Sequence, residues 1–273
     1  MMEHLANDSH HFKTSIVIII GLLLLVAGLA ITILGRKMRG SHGKYVNFLP
    51  VLGDPGSTKT DDIQHLSTAH DTFFVLPDIS NYTRFIASSP FSATKSQEIV
   101  FGLLNAMIGS CDDTFELSKL EGDAVLFYCD ARTHSKEQLE RALIAIFDAF
   151  FETKQKIMSS ENCAKAGRKS LDDLDLKIFV HRGDARRFNF RGSIDHFGAD
   201  VIILHRLLKN NINGTRYIMV TDAASELVSF QGGFTSEKVN ENLPEIGSIQ
   251  AVVYRILDHA RGNSAAVPNV VKV

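Results

Sequence analysis

The sequence predicts an α+β domain with a ferredoxin-like core, preceded by one membrane-spanning helix. Three observations carry this. Residues 16–34 are almost continuously apolar. Beyond residue 70 the elements run strand, helix, helix, strand, strand, helix, strand, strand, helix, strand, an order that closes a layered sheet with helices. The run Phe73-Phe74-Val75-Leu76 ends in an acidic residue and passes directly into a helical pattern, as a strand buried on both faces does. With 273 residues, 45% of them hydrophobic, the chain has material for one full-sized domain plus appendages. The balance of 29 basic to 31 acidic residues argues against a nucleic-acid partner. Cys111, Cys129 and Cys163 are odd in number, widely spaced and in no metal-ligand pattern, so they read as thiols in a reducing compartment.

Residues 1–14 are expected to form a short extracytoplasmic N-terminus, and 15–35 the membrane helix, whose apolar stretch spans about 30 Å of hydrocarbon at about 1.5 Å per residue. A cleaved signal peptide is the rival, but its apolar core is usually shorter, roughly 7–15 residues, and a small-x-small site before Gly35 is lacking. Arg36, Lys37, Arg39 and Lys44 follow the helix while only Lys13 precedes it. The positive-inside bias thus predicts a single-pass protein of the cytoplasmic membrane with its C-terminal domain in the cytoplasm. Residues 36–69 mix Gly, Ser, His, Pro and Asp as a juxtamembrane linker, 70–259 form the domain, and 260–273 are a flexible tail.

Within the domain, Pro77 is expected to close the first strand, because proline cannot extend a ladder, and Ser80 to cap a helix over 81–88. Residues 94–109 carry Ile99, Leu103, Leu104, Met107 and Ile108 at helical spacing. Residues 115–119 and 124–129 are strands joined through Leu120-Glu121-Gly122-Asp123 as a hairpin. Ser135 with Gln138 is a capping-box signature, followed by the apolar stripe Leu139, Leu143, Ile146, Phe147, Phe150 and Ile157 of a long amphipathic helix. Residues 161–175 are polar and read as a surface loop. Residues 176–181 and 185–190 read as strands around the turn Arg182-Gly183-Asp184, then 198–210 as helix, 217–221 as strand, 223–228 as a short helix and 249–257 as the last strand.

In a ferredoxin-like core the first strand lies beside the strand that follows the hairpin, which brings Asp78 and Asp123 together. Neighbouring carboxylates repel unless a cation or proton sits between them, and hard oxygen donors suit Mg²⁺ or Mn²⁺ accompanied by phosphates. The structural alternative is that one Asp caps a helix and the other finishes a hairpin.

Four stretches carry a resemblance to one family. Phe74-Val75-Leu76-Pro77-Asp78-Ile79-Ser80-Asn81-Tyr82-Thr83 resembles the first metal motif of class III nucleotide cyclases, and Lys119-Leu120-Glu121-Gly122-Asp123-Ala124 is similar to their Lys-x-x-Gly-Asp hairpin. Ile178-Phe179-Val180-His181-Arg182-Gly183 resembles the His-x-Gly strand, and Asp195-His196-Phe197-Gly198 through His205-Arg206-Leu207 the Gly-to-Arg-Leu helix. The likeness covers about residues 70–257, in order, and is greatest to a divergent bacterial branch of poorly defined function.

The resemblance implies a class III cyclase fold and a homodimer converting ATP to cyclic AMP and pyrophosphate. Asp78, Asp123 and the Ile79 carbonyl would hold two Mg²⁺ or Mn²⁺ ions. Lys119 and Asp195 would read the adenine edge, and Arg206 would reach the α-phosphate from the partner subunit. Each residue has a plainer alternative: Lys119 a solvated strand-end lysine, Asp195 a turn or cap, Arg206 a surface helix arginine. The family's ribose-orienting Asn falls on Ile202, and its late triphosphate Lys near Ile246. A lost orienting contact costs about 10²-fold in rate, so a catalytically degenerate module that binds nucleotide or a protein partner is the second functional class, and a scaffold the third. ATP is favoured over GTP only through the Lys119 and Asp195 pair.

The remaining motifs read as structure. His65, His70, His134, His181, His196 and His205 do not share a metal-ligand spacing on one helix, and His181 is expected to pack within its strand. Asn213-Gly214-Thr215 is a glycosylation sequon that a cytoplasmic location makes inert. Asp184, Arg182, Arg186, Arg187 and Arg191 are expected on a turn and a solvated face.

Overall fold

The computed structural model describes residues 63–65, 70–111, 113–160, 163–190 and 193–257. The predicted membrane helix, most of the predicted linker and the tail lie outside the described residues. Among the described residues no helix is long and apolar enough to cross a membrane. The chain divides into two units, residues 1–64 with 189–194 and residues 65–188 with 195–273. The first is described only over part of β1 (Ile63–His65) and the facing ends of two later strands; the second is the domain.

Its elements follow the order β2 (His70–Ser80), α1 (Tyr82–Ser88), α2 (Ala93–Gly109), β3 (Glu116–Glu121), β4 (Ala124–Asp130), α3 (Lys136–Met158), α4 (Lys165–Asp172), β5 (Asp175–Phe190), β6 (Ser193–Phe197), α5 (Ala199–Leu207), β7 (Tyr217–Thr221), a 3₁₀ turn (Asp222–Ala224), β8 (Phe234–Leu243) and β9 (Gly247–Ile256). The sheet order is β3-β4-β2-β5-β7-β9-β8, with β6 paired to β5. Its first four strands have the predicted ferredoxin-like arrangement: β2 lies between β4 and β5, antiparallel to both. The β5–β7 pair is parallel, so the sheet is mixed.

Strand β2 is buried on both faces, as its unbroken apolar run predicts. Phe73, Val75 and Ile79 belong to the core under α2 and α3, with Leu103, Leu143, Ile146, Phe147 and Phe150. Phe74 and Leu76 point the other way, into the core with Leu126, Phe179, Leu204, Tyr217 and Met219. Each such side chain contributes about 1.5–3 kcal/mol on leaving water, so sliding β2 by one residue would exchange two complete core faces.

Several local expectations are corrected. Pro77 does not end β2, which continues to Ser80 with Pro77 opposite Ile178 on β5. Ile79 N–H donates to the Asp123 carbonyl on the β4 side (3.2 Å), so the proline nitrogen, two residues earlier, faces that side too. The β2–β4 register skips residues 76 and 77, and the missing donor falls in that gap. The N-cap of α1 is Asn81, in the left-handed region at φ 66°, rather than Ser80. Residues 165–172 form α4 instead of loop, and Arg182-Gly183-Asp184 lies within one continuous strand, β5. Arg182 is not a turn residue on a solvated face but half-buried, donating to both oxygens of Asp71 at 2.8 and 2.7 Å. Strands β6 and β8 have no counterpart in the sequence reading. By contrast, the Ser135 capping box is complete: Gln138 N–H donates to Ser135 Oγ, and Ser135 N–H to Gln138 Oε1 at 2.8 Å.

Candidate functional site

The register of β2 on β4 decides the site. Asp78 lies opposite Ala124, the first residue of β4, so the β3–β4 turn is brought to the end of β2. Gly122 closes that turn at φ 72°, a conformation L side chains rarely adopt, and this aims the backbone so that Asp123 follows directly. Asp78, Ile79 and Asp123 then line one pocket of about 390 Å³, shared with Ser80, Asn81, Tyr82, Thr83, Arg84, Lys177 and Thr215.

Both carboxyls are half-buried, and burial lifts both above the usual carboxylate range. Asp78 is pushed up to about 6, first by burial, then by the Asp123 charge, with Lys177 opposing. Tyr82 is raised by burial and by Asp123 as well. Ser80 Oγ is buried and without a hydrogen-bond partner among the described residues. Repelling hard oxygens and an orphaned hydroxyl in one polar pocket fit a divalent cation with an oxygen-rich ligand. Among the described residues no group of three or more His, Cys, Asp or Glu side chains is arranged to hold a metal. Two carboxylates leave most of a hard cation's coordination sphere to a backbone carbonyl, water and ligand oxygens.

Lys119 and Asp195 meet elsewhere on the chain, with Nζ 3.0 Å from Oδ1 and 3.3 Å from Oδ2. Neither lines the pocket of Asp78 and Asp123, nor does Arg206. Arg206 is exposed on α5 with no ion pair among the described residues. Ile202, one helical turn before it, is 50% exposed, and Ile246 is 37% exposed. The chain thus carries an acidic pocket and, separately, a donor–acceptor pair, with Arg206 exposed and in no ion pair among the described residues.

Residues to which the sequence assigned no role in a site complete both clusters. Lys177 faces Asp78 across β2 and β5, and its Nζ lies 5.3 Å from the centre of the Tyr217 ring. No local pattern marks it, because the register makes the pair. Glu121 holds Lys119 at 3.1 Å and His205 Nε2 at 2.6 Å. Its position two residues after Lys119 on one strand was a usable signal, since residues i and i+2 share a face. His181 is buried as expected, its Nδ1 2.8 Å from Thr221 Oγ1 and its Nε2 3.0 Å from Asp200 Oδ1, and Asp200 also accepts from the Asp184 N–H. These bonds pin α5 to β5. His196 is packed against Tyr128 and Phe74, bonded to Ser118 Oγ, and burial pushes its pKa down to about 4.

Fold and site together define a protein with the fold of class III nucleotide cyclase catalytic domains. Among solved structures, the adenylyl cyclase CyaB from P. aeruginosa matches with a TM-score of 0.53 at 14% identity, over 69% of this chain and 95% of that one. A bacterial light-regulated adenylyl cyclase matches at 0.50 and 18%, over 69% of this chain and 51% of that one. At these identities the likeness is one of fold. The model of a family described as a protein of unknown function (DUF2652) matches residues 100–217. An uncharacterized protein of Mycobacterium tuberculosis is 27% identical over 111 residues, 41% of this chain, and the match spans about half (52%) of that relative's length.

Proposed function

We propose that this chain is a membrane-anchored, homodimeric class III nucleotide cyclase that converts a nucleoside triphosphate, with ATP favoured, into the cyclic nucleotide and pyrophosphate. The observation that carries the reading is the meeting of Asp78 and Asp123 in one pocket, beside an unpartnered Ser80 hydroxyl and Lys177. Asp78, Asp123 and the Ile79 carbonyl are the ligands for two Mg²⁺ or Mn²⁺ ions, which when bound supply a lowered pKa at the ribose 3′-hydroxyl and neutralise phosphate charge. Lys177 adds a positive charge on the phosphate side of the same pocket. Lys119 donates to a purine ring nitrogen and Asp195 accepts from the exocyclic amino group, a pattern that matches adenine. Arg206, extended from α5 into solvent, serves the partner subunit's pocket and offsets charge as it develops on the α-phosphate. Separation of the acidic pocket from the Lys119–Asp195 pair within one chain supports a site completed across a two-fold dimer. Residues 15–35 are the anchor, and the basic residues after them assign the domain to the cytoplasmic face.

A second reading is favoured by Ile202 and Ile246, apolar and exposed where the family resemblance implies polar contacts. In it the domain binds nucleotide or a protein partner without turnover. Incubating the purified full-length chain with ATP or GTP and Mn²⁺, and seeking cyclic nucleotide by mass spectrometry, separates the two. Product that disappears in Asp78→Ala and Asp123→Ala supports the enzyme; nucleotide binding without product supports the module. Absence of both product and nucleotide binding refutes the enzyme and the nucleotide-binding module, and leaves the fold with a protein partner as its ligand.

A further inference from the structure

Lys119 does not hold Asp195 alone. Its ammonium lies 3.0 Å from Asp195 Oδ1 and 3.1 Å from Glu121 Oε1. The other Glu121 oxygen is 2.6 Å from His205 Nε2, and His205 Nδ1 donates to the Val201 carbonyl at 2.6 Å. Both imidazole nitrogens thus face oxygen acceptors, which only the doubly protonated ring satisfies. The groups form a row of alternating charge, Asp195, Lys119, Glu121, His205, joining β6, β3 and α5. Isolated surface ion pairs are worth little, but these side chains are only 23–34% exposed and each is oriented by the next.

We propose that Glu121 and His205 are positioning residues that aim Lys119 at the purine base, with the His205 imidazolium neutralising Glu121 so that Lys119 stays shared between two carboxylates. An ammonium has three N–H bonds. Two are taken by Glu121 and Asp195, and the third is left for a ring acceptor. The inference rests on the nucleotide reading above and deepens it by naming what sets base recognition.

Loss of the His205 proton changes this balance. The remaining hydrogen stays on Nδ1 with the Val201 carbonyl, and the Nε2 lone pair is left facing Glu121. Glu121 then carries its full charge and draws Lys119 away from Asp195 and the base. The groups facing His205 are Glu121 and Lys119 from β3 and the Val201 carbonyl from its own helix, with Asp195 of β6 behind Lys119. Glu121 favours the imidazolium and Lys119 opposes it; the Glu121 hydrogen bond dominates and raises the His205 pKa. Base recognition therefore weakens as pH rises through that pKa, whereas contacts to the phosphates do not depend on this row.

The test uses the full-length chain with Mn²⁺ and two probes, 2′,3′-dideoxy-ATP, which cannot cyclise, and inorganic tripolyphosphate, which has no base. Calorimetric affinities are compared at pH 6.5 and 8.5. Glu121→Gln and His205→Gln are each expected to weaken dideoxy-ATP binding at pH 6.5 by roughly three- to tenfold, the range of one lost hydrogen bond. Tripolyphosphate binding stays within about twofold, which also reports that the variant is folded, and the pH dependence of the affinity ratio disappears. In a Lys119→Ala background, Glu121→Gln has no further effect. If Lys119→Ala weakens dideoxy-ATP but Glu121→Gln and His205→Gln change neither probe, or both equally, the positioning inference is overturned and the nucleotide reading stands. If the unmodified chain binds neither probe, both fall.

Discussion

Replacing Asp78 with Asn should make the metal-free protein more stable at neutral and alkaline pH. Its carboxyl is lifted from the ordinary 3.8 to about 6 by burial and by Asp123. The folded state therefore holds the Asp78 proton more tightly than the unfolded chain does. The Asp78 contribution to stability is full below about pH 4 and is lost as pH rises through about 6, where the folded protein must carry a half-buried, repelled anion. A lift of this size corresponds to about 3 kcal/mol, or about 2 kcal/mol after discounting for the solvent that still reaches the group. Asn keeps the shape and removes the charge, which for a domain of this size raises Tm by about 4–8 °C. Differential scanning calorimetry of wild type and Asp78→Asn at pH 5 and pH 8, with chelator and with millimolar Mn²⁺, measures this. With chelator the gain is expected at pH 8 and should shrink at pH 5. With Mn²⁺ the wild type should recover stability by mass action while the variant does not. A variant less stable than wild type at pH 8 in chelator would refute a strained carboxylate pair.

Three other outcomes follow from particular contacts. Ile202→Asn, at a half-exposed helix position, should change stability by less than about 0.5 kcal/mol yet raise cyclic-nucleotide yield about tenfold or more if ribose orientation limits turnover; an unchanged yield by mass spectrometry counts against that limit. Gly183→Ala would drive a Cβ into the Asp200 carboxyl group, displacing the carboxylate that holds His181 and the Asp184 N–H, and should cost about 2–3 kcal/mol in urea denaturation. His196, depressed to about 4 by burial, should remain neutral by NMR at pH 5.5. Its contribution to stability is full above about pH 6.5, the ordinary value, and erodes as pH falls toward 4.

What was legible in the sequence was local. The double-faced burial of β2 follows from consecutive large apolar residues, the start of α3 from Ser135 and Gln138, and the hairpin from Gly122. Pro77 misled because a missing N–H ends a ladder only on the side it faces, and that side is visible only once both neighbours of β2 are known. Strand β8 was illegible for a related reason: as an edge strand with most side chains exposed, it carries a polar sequence without the alternation of a half-buried strand. Residues 182–184 have turn chemistry, yet β2 pairs with them residue for residue and holds them extended.

The sequence alone determined which residues could do chemistry and the order of elements that brings Asp78 toward Asp123, because apolar periodicity, caps and turns are properties of neighbours along the chain. Tertiary structure decided the partners: Lys177 opposite Asp78, Arg182 on Asp71 across 111 positions, and Glu121 between Lys119 and His205. Those pairings depend on strand register and on the docking of α5, which are fixed by the burial of two whole core faces at once. No short stretch of sequence contains that information, and the charges at the rim are placed by it.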